Sequence, residues 1–103
     1  MKARATAETR SLADLKSVGK ASLADFRLLG VHSVADLAGA DPRELYERLC
    51  RLQGVTVDIC QYDLFRCAVA QARDPHLPPE QRDWFWWSRR RKASAAESGG
   101  AED

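Results

Sequence analysis

Residues 12–26 read Leu12-x-x-Leu15-Lys16-Ser17-Val18-Gly19-Lys20-Ala21-Ser22-Leu23-x-x-Phe26. The apolar positions recur at spacings of three and four residues, which is typical of helices that each bury one face. Gly19 interrupts this pattern, and too few residues remain before Leu23 for a long loop. The stretch therefore predicts two short helices joined by a tight turn at Lys16–Gly19.

Such a turn leaves backbone N–H groups pointing outward at the start of the second helix, where they attract anions and phosphate in particular. The arrangement resembles a helix-hairpin-helix, an element that many proteins use to hold a nucleic-acid backbone without reading its sequence. The N–H groups of Gly19 and its two successors would cradle phosphate, two lysines would supply charge, and Ser22 would add a hydroxyl. The predicted DNA contacts are Lys16, Ser17, Val18, Gly19, Lys20, Ala21 and Ser22. The alternative is that the hairpin only packs the bundle.

Capping signals divide the rest of the chain into helices. Ser33, Asp41 and Asp58 suit N-caps, while Gly30 and Gly54 suit helix ends. The predicted helices begin near Thr9 or Arg10, at Lys20, after Ser33, at Pro42, at Ile59 and at Pro79. No strand signal or repeat is evident. The chain therefore predicts an all-α fold, a compact bundle of about five short helices of helix-hairpin-helix or SAM-like type.

Length and composition place one small domain in the chain. It has 103 residues, of which 45% are hydrophobic. The helix from Ile59 to Ala72 is apolar on most faces, so we expect it at the centre of the core. From Ser88 onward the sequence is charged or rich in small residues. We expect a domain at 9–88, with flexible tails at 1–8 and 89–103.

Charge is distributed unevenly along the chain. Residues 1–88 contain as many acidic as basic residues, whereas Arg89-Arg90-Arg91-Lys92 forms a dense basic run. A neutral body argues against tight binding to duplex DNA, for which a positive surplus is usual. We therefore expect only weak, sequence-independent DNA binding.

Several functional classes find no support in the sequence. No long apolar segment or secretory signal occurs, which predicts a cytoplasmic protein without a membrane partner. Cys50, Cys60 and Cys67 lack metal-ligand spacing, so we expect buried, inert thiols, the alternative being a redox or metal sensor. His32 and His76 are isolated, and we expect both at the surface. No nucleophile–base pair or paired carboxylates stand out. We expect no enzyme activity, no metal and no cofactor.

The aromatic segment Trp84-Phe85-Trp86-Trp87 is separated from the basic run by Ser88 alone. Aromatic rings beside cations could stack on the bases of a single strand and contact its phosphates. They could instead anchor a protein partner, or simply pack on the bundle. The candidate contacts for a partner or nucleic acid are Trp86, Trp87, Arg89, Arg90, Arg91 and Lys92. A protein-interaction module is therefore the alternative to a DNA-binding function.

Longer motifs resemble the pathogenicity-locus family, small bacterial helix-hairpin-helix proteins also described as mitomycin-resistance-like. The resemblance covers roughly residues 11–73. It rests on Asp25-Phe26-Arg27-Leu28-Leu29-Gly30-Val31, on Ser33-Val34-Ala35-Asp36-Leu37, on Asp41-Pro42-x-Glu44-Leu45-Tyr46, and on Phe65-Arg66-Cys67-Ala68-Val69.

The hairpin alone is similar to the one in the carboxy-terminal domain of the α chain of RNA polymerase. This likeness implies a contact with the DNA backbone. Ser17 departs from it, because many such hairpins have their first glycine at this position, and glycine tolerates backbone conformations that serine does not.

Overall fold

The structure is a computed structural model that describes the backbone of residues 8–102 and the side chains of residues 8–95. Within that range the chain is all-helical, as predicted. The α-helices are α1 (Lys20–Leu28), α2 (Val34–Ala38), α3 (Pro42–Gln53), α4 (Cys60–Arg73) and α5 (Trp84–Glu102), and short 3₁₀ helices span Leu12–Asp14 and Pro79–Arg82. None of the described helices is both long and apolar enough to cross a membrane.

Local capping signals locate the middle helices correctly. The Ser33 Oγ accepts a hydrogen bond from the Asp36 N–H at 3.0 Å, and the Asp41 carboxylate accepts one from the Arg43 N–H at 3.0 Å. Gly30 and Gly54 follow α1 and α3 with φ of 81° and 71°, the left-handed conformation that glycine adopts at little cost. These helix boundaries depend on residues close in sequence, which is why sequence reasoning finds them.

Helix α4 is the centre of the bundle, as predicted. It packs against α2, α3 and α5. Phe65, Cys67 and Ala68 are almost completely buried, and the Phe65 ring centroid lies 5.4 Å from that of Phe26 on α1. Burying a side chain such as Phe65 contributes about 1.5–3 kcal/mol to folding. The core thus fixes α1, and with it the turn that precedes α1, against α4.

The first predicted helix is much shorter than the sequence suggests. Only Leu12–Asp14 is helical, in 3₁₀ form, and Leu15 is already extended with ψ of 139°. In an α-helix the Lys16 N–H would bond to the carbonyl of Leu12, but here it donates to the Gln71 side chain at 2.9 Å. The pattern of apolar residues is satisfied nevertheless, because Leu12 and Leu15 are both buried.

The C-terminal helix is longer than the sequence suggests. Helix α5 continues through Arg89–Lys92 to Glu102, a range expected to form a flexible tail. Arginine, lysine and alanine are good helix formers, and the Arg91 Nε donates to the buried Asp63 carboxylate at 2.9 and 3.0 Å. The basic run therefore belongs to the folded unit. Of the expected N-terminal tail, residues 1–7 lie outside the described residues.

Candidate nucleic-acid interface

The hairpin segment, residues 16–22, joins the first 3₁₀ helix to α1. The Gln71 side chain bonds the backbone of Lys16, the first residue of this segment, through both of its polar atoms. Oε1 accepts a hydrogen bond from the Lys16 N–H, and Nε2 donates one to the Lys16 carbonyl oxygen, both at 2.9 Å. Gln71 is only 4% exposed. A buried amide with both of its polar atoms satisfied fixes the geometry of the turn.

Ser17 has a left-handed backbone conformation, which suits the glycine that many similar hairpins have at this position. Its φ of 70° makes it the only non-glycine residue with positive φ among those described. The left-handed conformation costs a non-glycine residue roughly 1–2 kcal/mol. The Ser17 Oγ offsets this by donating to the Arg82 carbonyl at 3.0 Å and accepting from the Trp84 N–H at 3.1 Å. The serine thus keeps the turn and ties it to the start of α5.

The start of α1 presents unpaired backbone donors. Gly19 is the N-cap and has no side chain to bond them, and the first helical bond runs from the Leu23 N–H to the Gly19 carbonyl at 2.9 Å. The N–H groups of Lys20 and Ala21 therefore have no carbonyl partner within the helix. Gly19, Lys20 and Ala21 are all exposed. An exposed helix start of this kind carries a partial positive charge, on which the predicted phosphate contact depends.

The remaining predicted contacts of the hairpin segment differ in accessibility. Lys16 is exposed, Val18 is half-buried against the core, and Ser22 is only 6% exposed. A phosphate at the surface would therefore meet Lys16 and Lys20 but not the Ser22 hydroxyl. Ser22 lies inward because α1 buries the face that carries it with Phe26, four residues further on.

A groove of about 300 Å³ lies beside the turn, lined by Lys16, Ser17, Pro79, Arg82 and Asp83. The Asp83 carboxylate in this groove accepts a hydrogen bond from the Phe85 N–H at 3.0 Å. Lys16 of the hairpin segment and Arg82 of the second 3₁₀ helix thus line the same groove, together with the Asp83 carboxylate.

Sequence reasoning missed the residues that support the turn. Gln71, Arg82 and Trp84 contact it from 55 to 67 positions away. The one available signal was a glutamine between two alanines on the most apolar helix, because a buried amide needs partners.

The aromatic and basic candidates on α5 separate into inward and outward groups. The Trp87 Nε1 donates to the Gln81 carbonyl at 2.8 Å, and the Arg66 guanidinium lies 5.0 Å from the Trp87 ring centroid. Arg91 pairs with Asp63, and this hydrogen bond raises the pKa of Arg91. Trp86 is half-buried, its ring 5.0 Å from the guanidinium of Arg90. The exposed candidates are Arg89, Arg90 and Lys92.

The expectation of three buried thiols holds only for Cys67, because Cys50 and Cys60 are only partly buried. Burial raises the pKa of Cys67 to about 11 and also raises that of Cys60. A raised pKa keeps a thiol protonated and unreactive. Among the described side chains, no group of three or more histidines, cysteines and carboxylates could hold a metal ion. His32 and His76 are exposed, as predicted.

Comparisons with known proteins identify relatives of the whole domain. The family model described as Cdd1, pathogenicity locus, matches residues 5–93. The mitomycin resistance protein McrB of Streptomyces lavendulae is 35% identical over 88 residues, which cover 85% of this chain and 80% of that protein. No solved structure matches the chain. The family match includes both the hairpin segment and the basic run on α5, and the chain belongs to the pathogenicity-locus family.

Proposed function

We propose that this chain is a non-catalytic accessory protein that binds the DNA backbone through its hairpin segment with little sequence preference. The observation that carries the proposal is the exposed start of α1, which no side chain caps. Lys20 is the first residue of this helix, and Lys16 lies at the other end of the turn that precedes it. Gln71 and Ser17 hold that surface rigidly, so a phosphate would not have to order it on binding.

Charge sets the expected strength of this contact. Two lysines and a helix N-terminus supply few phosphate contacts, and the formal net charge of the chain is only +1. Non-specific DNA binding has dissociation constants of roughly 10⁻⁴–10⁻⁶ M at physiological salt. We expect this protein at the weak end of that range, with little difference between duplex sequences of equal length.

The test is fluorescence anisotropy of a labelled duplex across a series of salt concentrations. In the Lys16→Glu/Lys20→Glu variant, affinity should fall. The negative slope of log K against log salt should become shallower by about 1.8, since each lost phosphate contact removes about 0.9. The matched control is Arg27→Glu/Arg51→Glu, which alters net charge equally at two exposed positions outside the hairpin. Equal losses in both variants would refute the hairpin contact.

A protein-interaction module is the second candidate. It is favoured by the 46% exposure of Phe85, an aromatic ring stacked with Arg89 at 5.0 Å on the outside of α5. Trp87 is a weaker anchor for a partner than the sequence suggests. Its indole N–H already donates to the Gln81 carbonyl, and its ring already contacts the Arg66 guanidinium. A partner held by this surface should remain bound at high salt and be lost in Phe85→Ala, whereas the hairpin double variant should retain it.

The name of the Streptomyces relative suggests a cellular readout. We extend mitomycin resistance to this chain as part of the proposal, and expect its expression to improve the survival of a sensitive bacterial host exposed to mitomycin. The Lys16→Glu/Lys20→Glu variant should lose that protection, and Arg27→Glu/Arg51→Glu should keep it. Protection that persists in the hairpin variant would separate resistance from hairpin binding.

A further inference from the structure

Four arginines from three helices line an open groove of about 420 Å³. They are Arg43 of α3, Arg66 of α4, and Arg90 and Arg91 of α5, and they surround Tyr62 with Ile59 beside it. We propose that this groove binds the phosphate backbone of single-stranded nucleic acid, at a site separate from the hairpin segment. The inference goes beyond the proposed function and does not depend on it.

Aromatic rings hold the guanidinium groups in place without neutralising them. The guanidinium carbons of Arg43 and Arg66 lie 5.2 and 5.4 Å from the Tyr62 ring centroid, and Arg66 also lies 5.0 Å from that of Trp87. Cation–π contact uses the face of a guanidinium and leaves the N–H donors at its edge free. Those donors match the oxygens of a phosphate in a bidentate geometry.

The carboxylates facing the groove cancel only part of its charge. The buried Asp63 is paired with the Arg91 Nε. Glu47 lies 3.9 Å from Arg43, but both side chains are more than half exposed, and such pairs contribute little. Asp58 also lies close enough to Arg91 for their charges to interact.

Two arginines are left without such a partner. Among the described side chains, no carboxylate pairs with Arg66 or Arg90 within salt-bridge distance. Residues 1–88 are neutral overall, and the groove brings two of their arginines, Arg43 and Arg66, together with Arg90 and Arg91 of the basic run. The groove is therefore suited to an anion.

The shape and lining of the groove favour a nucleic-acid strand over other anions. Its arginines come from three helices, so several guanidinium groups are available to the phosphates of one strand. Tyr62 and Ile59 offer apolar contact to sugars and bases, and the Trp86 ring lies 5.0 Å from the guanidinium of Arg90, one of the groove arginines. A basic groove with interleaved aromatic rings is the arrangement that binds single strands without sequence preference. An acidic peptide would use the arginines but not the rings.

The test is binding of a short fluorescein-labelled oligothymidylate, followed by anisotropy at several salt concentrations. The groove variant is Arg43→Gln/Arg90→Gln, and the matched control is Arg27→Gln/Arg51→Gln. All four residues are exposed, so the fold should tolerate both variants, which circular dichroism would verify. We expect the affinity of the groove variant to fall about tenfold. The negative slope of log K against log salt should become shallower by about 1.4, since each lost contact to a single strand removes about 0.7. Losses of the same size in the control would overturn the proposal.

Competition and the hairpin variant separate the remaining outcomes. If Lys16→Glu/Lys20→Glu weakens duplex binding but not oligothymidylate binding, the two sites are distinct, as proposed. Loss of oligothymidylate binding in the hairpin variant, with none in the groove variant, would refute the groove. Displacement of the oligonucleotide by polyglutamate at equal charge would identify an acidic polypeptide site instead. Displacement by thymidine monophosphate at equal phosphate concentration would identify a site for free nucleotides.

Discussion

The side-chain amide of Gln71 forms two hydrogen bonds with the backbone of Lys16, one to its N–H and one to its carbonyl oxygen, each 2.9 Å long. The two residues are 55 positions apart, so this pair joins the central helix to the start of the hairpin segment. It replaces the helical bond that the Lys16 N–H would otherwise make, and it determines where the first helical turn ends.

Replacing this amide with an apolar side chain of similar size should destabilise the protein. Gln71→Leu leaves two backbone groups without their partner, and an unsatisfied buried group costs about 1–3 kcal/mol. We expect a decrease of about 2 kcal/mol in the free energy of unfolding, measured by urea denaturation. Gln53→Leu, at an exposed position at the end of α3, should change stability by less than about 0.5 kcal/mol. Equal effects in the two variants would mean that the amide does not support the turn.

Ser17 should show a defined order of stability among its variants. Ser17→Ala loses both hydrogen bonds and keeps the unfavourable φ of 70°. Ser17→Gly loses the same bonds but adopts that φ freely, so it should be more stable than the alanine variant by about 1 kcal/mol. The wild type should be the most stable of the three by thermal unfolding. An alanine variant at least as stable as the glycine variant would show that the left-handed turn is not maintained in solution.

The pair formed by Asp63 and Arg91 gives a test of the C-terminal helix. Asp63 is completely buried, so Arg91→Ala removes the partner of a buried carboxylate. Breaking such a pair costs about 3–5 kcal/mol, and we expect about 2–3 kcal/mol here because Arg91 is partly exposed. The double variant Asp63→Asn/Arg91→Ala should recover part of that loss, since the buried charge is gone. Urea denaturation of both variants measures this, and an unchanged Arg91→Ala variant would show that α5 does not pack here.

Cys67 should make stability depend on alkaline pH. Burial raises the pKa of its thiol from 9.0 to about 11, so the folded state retains the proton that the unfolded state loses first. The stability contributed by the neutral thiol is fully present below about pH 9 and is lost as the pH rises through about 11. Cys67→Ala should therefore show a shallower loss between these pH values, by on the order of 2 kcal/mol. Parallel profiles would contradict the burial of this thiol.

The sequence predicts those parts of the fold that depend on neighbouring residues. Ser33, Asp41, Gly30 and Gly54 cap their helices through bonds that span only a few positions, and the apolar pattern of α4 identifies it as the central helix. The sequence also locates the exposed start of α1, because a glycine between two helical patterns allows few alternatives.

What sequence reasoning missed depends on contacts between distant residues. The first 3₁₀ helix ends where the Gln71 side chain accepts a hydrogen bond from the Lys16 N–H. The basic run remains helical where Arg91 donates a hydrogen bond to Asp63. The local pattern marks Gln71 only as a polar residue on the most apolar helix and does not identify Lys16 as its partner, and nothing local pairs Arg91 with Asp63. The sequence identifies Arg90 and Arg91 as candidate contacts but not the groove, because Arg43 and Arg66 are single cations on other helices until the bundle brings them beside the basic run.

The bonds made by Ser17 imply that the hairpin segment cannot work as an isolated peptide. The Arg82 carbonyl and the Trp84 N–H hold its turn, so a segment near the start of the domain is hydrogen-bonded to one near its end. Transplanting residues 16–22 into another scaffold would leave those anchors behind, and cutting the chain before residue 82 would release the turn. Amide hydrogen exchange at Ser17 and Val18 should therefore be faster in a chain cut before residue 82 than in the intact chain, although Gln71 would still bond Lys16, so a cleavage or fusion near the start of α5 should alter the hairpin segment.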